Sequence, residues 1–193
     1  MTKNSKVRFL SGLLLVVLGS LGSMTFAEIE EDMTILGFYV GAYDPDPAIL
    51  DDDTSYGIRL IYMGSDRFGI GGQLGRVDLE DAPVSGITAD FEVEMWLLDI
   101  SFVGALLPAK RTSILYYGGM GAAFNEINGT LGNLTFRGFS DDSLTLHAGI
   151  GVNITLSDRL GLQAGYRARW FDKRNTDEID GEITVGLGFR LGS

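Results

Sequence analysis

Arg59, Arg167, Arg169 and Arg190 fall on strand-like segments in which every second residue is apolar. They lie on the polar side of that alternation with Asp99, Glu182, Gln73, Gln163, Asn153 and His147. Guanidinium, carboxylate and amide groups gathered away from water have two uses. They can satisfy one another as a network of ion pairs and hydrogen bonds, or line a narrow path for small solutes, with the arginines favouring anions. The network is the expected use, because a buried charge that loses its partner costs about 3–5 kcal/mol. His147 is the only histidine and cysteine is absent, so no zinc site of the usual His/Cys type can form. Gly69-Ile-Gly71 and Gly119-Met-Gly121 sit inside strands with no helix following, so they are not phosphate loops. No cofactor, metal or catalytic residue is expected.

The elements that must position these groups are strands. Period-two alternation with turn signals between segments predicts eight of them, at about 33–43, 55–64, 67–77, 90–106, 112–126, 142–156, 159–172 and 182–191. In the seventh, Leu160, Leu162, Ala164, Tyr166, Ala168 and Trp170 oppose Gly161, Gln163, Gly165, Arg167, Arg169 and Phe171. The sixth sets Leu144, Leu146, Ala148, Ile150, Val152 and Ile154 against Thr145, His147, Gly149, Gly151 and Asn153. A hairpin closing at Ser157-Asp158 then puts His147 opposite Arg167 or Arg169. Connections after strands two, four and six are short, and the others are longer and acidic. An even strand count with short turns on one side and long loops on the other describes an outer-membrane barrel.

A soluble eight-stranded barrel of the lipocalin kind offers the same count with the faces reversed. Glycine placement separates the two. Gly149/Gly151, Gly161/Gly165 and Gly186/Gly188 share the polar faces, which leaves room for Arg and Gln inside a barrel barely wide enough for its own side chains. An arginine facing lipid at the bilayer midplane costs roughly 2–4 kcal/mol. A one-residue register slip would turn Arg167, Arg169 and Arg190 outward together, at a cost rivalling a domain's whole stability of about 5–15 kcal/mol.

Strand four changes parity. Trp96, Leu98, Ile100 and Phe102 form a lipid face, whereas upstream Phe91, Val93 and Met95 fall on the other side, with Glu92 and Glu94 outward. Either a bulge near Leu97 resets the register, or the strand leaves the membrane around Trp96, where an interfacial aromatic belongs. The second is expected. Strand five is apolar on both faces, and its alternation assigns no register.

Lys3, Lys6 and Arg8, the apolar run Phe9–Leu21 and Thr25-Phe26-Ala27 have the order of a cleavable export signal over residues 1–27, leaving 28–193 as one barrel domain. Removing that segment, with three basic and no acidic residues, takes the formal charge from −11 to −14. Such acidity argues against a nucleic-acid partner. Glycine supplies 27 of 193 residues, about twice the usual 7%, and the excess lies inside strands.

The last strand carries the most specific pattern. Thr184, Gly186, Phe189 and Leu191 have the spacing polar-x-Gly-x-x-apolar-x-apolar, which resembles the C-terminal assembly signal of bacterial outer-membrane barrels. With Tyr117-Gly-Gly-Met-Gly-Ala-Ala-Phe124 and Leu156-Ser-Asp-Arg-Leu-Gly-Leu162, the chain resembles the small OmpA/OmpX-type barrels and, more loosely, OmpW. It departs in ending on Gly192-Ser193, where these families usually end on an aromatic residue. The resemblance implies an eight-stranded antiparallel up-and-down transmembrane barrel with a structural or surface-interaction role. Its partners would be outer-membrane lipid, lipopolysaccharide and the barrel assembly machinery, and it would be a monomer. Short turns would be periplasmic and the acidic loops extracellular. An OmpW-like conduit is the alternative. A lipid A-modifying enzyme is more remote: outer-membrane deacylases of this kind place His and Ser two apart, and Gly149 stands two beyond His147.

Overall fold

The computed structural model describes residues 29, 31–45, 53–80, 89–107, 111–131, 134–139, 142–172 and 179–191, none of them helical. The segment expected to be an export signal lies outside them. Nine strands follow one another: β1 Met33–Asp44, β2 Asp53–Met63, β3 Phe68–Glu80, β4 Ala89–Leu106, β5 Thr112–Leu131, β6 Leu134–Phe139, β7 Ser143–Thr155, β8 Leu160–Phe171 and β9 Asp180–Leu191. All pairings are antiparallel, and β1 pairs with both β2 and β9 while β4 pairs with β5. Eight strands therefore close a ring, with β6 outside it. Closure leaves the ring no free strand edge, which backbone amides and carbonyls in hydrocarbon require.

β6 corrects the expected strand list. The alternation predicts that strand five ends near Glu126 and gives way to a long loop. Instead β5 runs to Leu131, and β6 folds back on it from Leu131↔Leu134 to Glu126↔Phe139. The two intervening residues, Gly132-Asn133, are a pair that favours tight hairpins. With the upper part of β4, paired from Ala89↔Leu131 to Glu94↔Glu126, they make a three-stranded ribbon standing above the ring. Acidic residues bordering the long connections belong partly to strands: Asp44 to β1, Asp53 to β2, Asp78 and Glu80 to β3, and Asp90 to β4. Asp46, Asp51, Asp52 and Asp81 lie outside the described residues.

The outer surface follows the alternation. Phe38, Val40, Ile58, Leu60, Ile70, Leu98, Ile100, Leu144, Leu146, Ile150, Ile183 and Leu187 are exposed, at up to 69% for Ile100. Aromatic residues gather at the two ends of this apolar band. Tyr62, Phe68, Phe102, Tyr116 and Phe189 ring the end with the short turns, and Tyr56, Trp96, Phe124, Tyr166 and Trp170 ring the other. Two aromatic girdles flanking an apolar belt are the outer dress of a membrane barrel.

β4 needs no bulge. It pairs one-to-one with β3 from Phe68↔Gly104 to Glu80↔Glu92, so Met95 and Leu97 are buried inside while Glu94 and Trp96 face out. Glu94 meets Arg76 at 2.7 Å, and Arg76 also holds Asp78 at 2.6 Å and lies over the Trp96 ring. An ion cluster directly above a girdle tryptophan favours the reading in which β4 leaves the hydrocarbon there. β5, left unassigned by its alternation, turns Ser113, Leu115, Tyr117 and Ala123 inward and Tyr116, Met120 and Phe124 outward.

Candidate functional site

The centre of the lumen holds a charged belt. Cross-strand pairing sets Arg59 beside Gln73, Gln73 beside Asp99, and Asp99 beside Gly121, making one row across β2, β3, β4 and β5. β8 faces this row from the far wall, with Arg167 and Arg169 one pleat apart. Arg169 grips Asp99 with both terminal nitrogens, at 2.7 and 2.9 Å, and Arg167 Nη1 donates to Asp99 Oδ2 at 2.7 Å. Asp99 is fully buried and Arg169 is 1% exposed. A bidentate fork plus a third charge-assisted bond is the strongest way to hold a carboxylate out of water.

The belt extends sideways through neutral groups. Arg167 Nη2 and Arg59 Nε both donate to Gln73 Oε1, at 2.8 and 2.9 Å, and Gln73 Nε2 donates to the Tyr39 hydroxyl at 2.8 Å. The Tyr117 ring lies beside both guanidiniums, 5.1 Å from Arg167 and 5.7 Å from Arg59. Glu182 stands opposite Arg167 in the β8–β9 register, with Oε2 3.9 Å from Arg167 Nη1. His147 is opposite Arg169; its Nε2 is 2.8 Å from Ser101 Oγ and its Nδ1 3.6 Å from Asp99 Oδ1.

Close packing explains two of the glycines. A Cβ on Gly121 would lie 2.2 Å from Asp99 Oδ1, and one on Gly149 would lie 2.3 Å from the Tyr117 ring. Gly149 thus makes room for an aromatic ring, where the sequence suggested room for arginine and glutamine.

Not every expected member joins the belt. Arg59, Gln73, Asp99, His147, Arg167, Arg169 and Glu182 come together. Arg190 and Asn153 lie nearer the turn end, where they line a separate small cavity with Thr155 and Gly161. Gln163 sits between the two levels and lines the main cavity. Thr184 is buried in the wall of β9, while Phe189 and Leu191 face outward.

Sequence reasoning missed the apolar layers above and below the belt. Met33, Ile35, Ile61, Met63, Val103, Ala105 and Leu115 pack together inside the turn end. Tyr43, Val77, Leu79, Met95, Leu97, Ala123 and Phe171 fill the loop end, where the Tyr43 hydroxyl donates to Asp180 at 2.5 Å. The signal was present: β2 ends Ile61-Tyr62-Met63 and β4 carries Met95-Trp96-Leu97, apolar on both parities. Within the belt the main cavity amounts to about 20 Å³, room for about one water.

A closed ring of eight antiparallel strands, apolar outside and charged within, defines the class of small outer-membrane barrels. The family model of the outer membrane protein beta-barrel domain matches residues 13–190, and the chain belongs to that family. No curated protein sequence matches the chain significantly. Among solved structures, neisserial surface protein A is similar at TM-score 0.62 and 18% identity, over 83% of this chain and 98% of that one. Ail, the attachment invasion locus protein of Yersinia pestis, gives 0.59 and 16%, over 84% and 99%. OprG of Pseudomonas aeruginosa gives 0.55 and 11%, over 88% and 100%. Identities this low speak for a shared fold alone.

Proposed function

We propose that this protein is a non-conducting outer-membrane barrel with a structural or surface-interaction role, its lumen closed by the ion network. The observation that carries this reading is Asp99, held by two guanidiniums from the opposite wall and capped by apolar layers at both ends. A conduit needs a continuous wet path, and the belt leaves a cavity for about one water. The short turns face the periplasm. The long connections and the β5–β6 ribbon face outward, where lipopolysaccharide and surface partners lie. The barrel is a monomer that uses its last strand, through Thr184, Gly186, Phe189 and Leu191, to engage the assembly machinery. Planar-bilayer recording of the purified protein tests the plug: silence is expected, and steady unitary currents would replace it with the conduit.

One geometric feature favours a second reading enough to need an answer. Ser101, His147 and Asp99 follow the order of a serine-hydrolase relay. A structural role fits them better, because Asp99 is already bound by two arginines and both Ser101 and His147 are buried away from any lipid. A nucleophile must reach its substrate. Expression in a host is expected to leave its lipid A mass spectrum unchanged, and loss of an acyl chain would reinstate the enzyme.

A further inference from the structure

Arg59 is the odd charge in the belt. Asp99 serves Arg167 and Arg169, and Glu182 stands nearest Arg167. Among the described residues no carboxylate comes within ion-pair distance of Arg59. Its partners are a neutral amide oxygen, shared with the Arg167 guanidinium, and the faces of Tyr39 and Tyr117. Two like charges thus converge on one uncharged acceptor inside a low-dielectric lumen, where a buried charge calls for an opposite one.

The same place is rich in donors without acceptors. Arg59 Nη2, Arg167 Nε and Gln163 Nε2 are buried and meet no protein acceptor; the Glu182 carboxylate oxygens meet no hydrogen-bond donor, but Glu182 does not line the cavity. All three donors belong to residues lining the main cavity of about 20 Å³, and Arg167 and Gln163 are themselves 3% and 8% exposed. A water there offers two lone pairs and no charge. A monatomic anion accepts from several directions and answers the charge of Arg59.

We propose that the cavity between Arg59, Arg167 and Gln163 binds one small inorganic anion of the halide class, as a structural counter-ion of the belt. Its size excludes sulfate and phosphate. The site rests on the plug reading, since an open lumen would exchange counter-ions with no fixed seat.

The test refolds the full barrel into detergent micelles in sodium chloride, bromide or sulfate at matched ionic strength. Refolding in each salt lets the ion enter before the lumen closes. Sulfate generally stabilises folded proteins more than halides do, so a seated halide must reverse that order. The melting temperature is expected to rise by roughly 5 °C once halide exceeds its Kd about a hundredfold. In Arg59→Gln, which keeps a hydrogen-bonding side chain and removes the charge, the rise should vanish. Melting that follows the sulfate order in the native protein, or an equal halide rise in Arg59→Gln, overturns the site. Crystals of the native protein grown in bromide give a reading that needs no variant. Anomalous density between Arg59 and Arg167 is expected, and bromide found on the outer surface alone refutes the proposal. Absence of the halide effect with silent bilayers would remove the anion and leave the plug. Currents in the bilayer would remove the plug itself.

Discussion

The middle of the lumen and its two ends are built from the same strands by opposite means. In the middle, three arginines, two carboxylates and a histidine hold one another across the barrel. At the ends, methionine, leucine, isoleucine and tyrosine pack as they would in a soluble core. The ends shield the middle from water, which strengthens every electrostatic contact there and makes each missing one more costly. Apolar packing tolerates volume-conserving swaps; a charged belt does not.

That contrast can be broken most sharply at Asp99. Asp99→Ala leaves Arg167 and Arg169 facing each other without their carboxylate and should destabilise the barrel by about 3–5 kcal/mol. Urea unfolding in micelles, followed by tryptophan fluorescence, measures it; a loss under about 1 kcal/mol would show the belt to be ornamental. Leu97, buried at the loop end, reports on packing instead. Leu97→Ala should cost about 2–4 kcal/mol by cavity formation, while Leu97→Met should cost less than about 1.5 kcal/mol. Equal losses from the two would mean that shape matters at the ends as much as charge does in the middle.

On the lipid face, Ile100→Arg should cost roughly 2–4 kcal/mol if Ile100 lies near the midplane, read as a lower midpoint in lipid vesicles. Gly121→Ala puts a methyl group against the Asp99 carboxylate and should cost about 1–3 kcal/mol. Pairing it with Asp99→Ala in a double-mutant cycle should recover only part of that cost, because the Leu98 carbonyl oxygen, 2.4 Å from the added methyl, remains. The smallest effect belongs to the outer rim. Glu94→Gln takes the charge from a half-buried rim contact to Arg76 and should change stability by less than about 1 kcal/mol, with even that difference fading at high salt.

Much of this architecture was readable from residue order. The inward parity of Arg59, Arg167 and Arg169 follows from alternation, since lipid tolerates no guanidinium beside Leu146 or Ile183. The β5–β6 hairpin is signalled only by Gly132-Asn133, because the apolar pattern of strand five fades beyond Phe124. The turn-end position of Arg190 and Asn153 was not obvious from parity alone, which fixes the face a residue occupies but not its depth.

By itself, the sequence determined which side chains look outward and which look inward on every strand but β5, because a strand has only two faces and hydrocarbon accepts only one kind. Tertiary structure decided who meets whom across the lumen. Asp99 on β4 and Arg169 on β8 lie 70 residues apart on strands that do not pair. Only the closure and stagger of the whole ring bring them to the same height, because contacts across a barrel depend on all the pairings between.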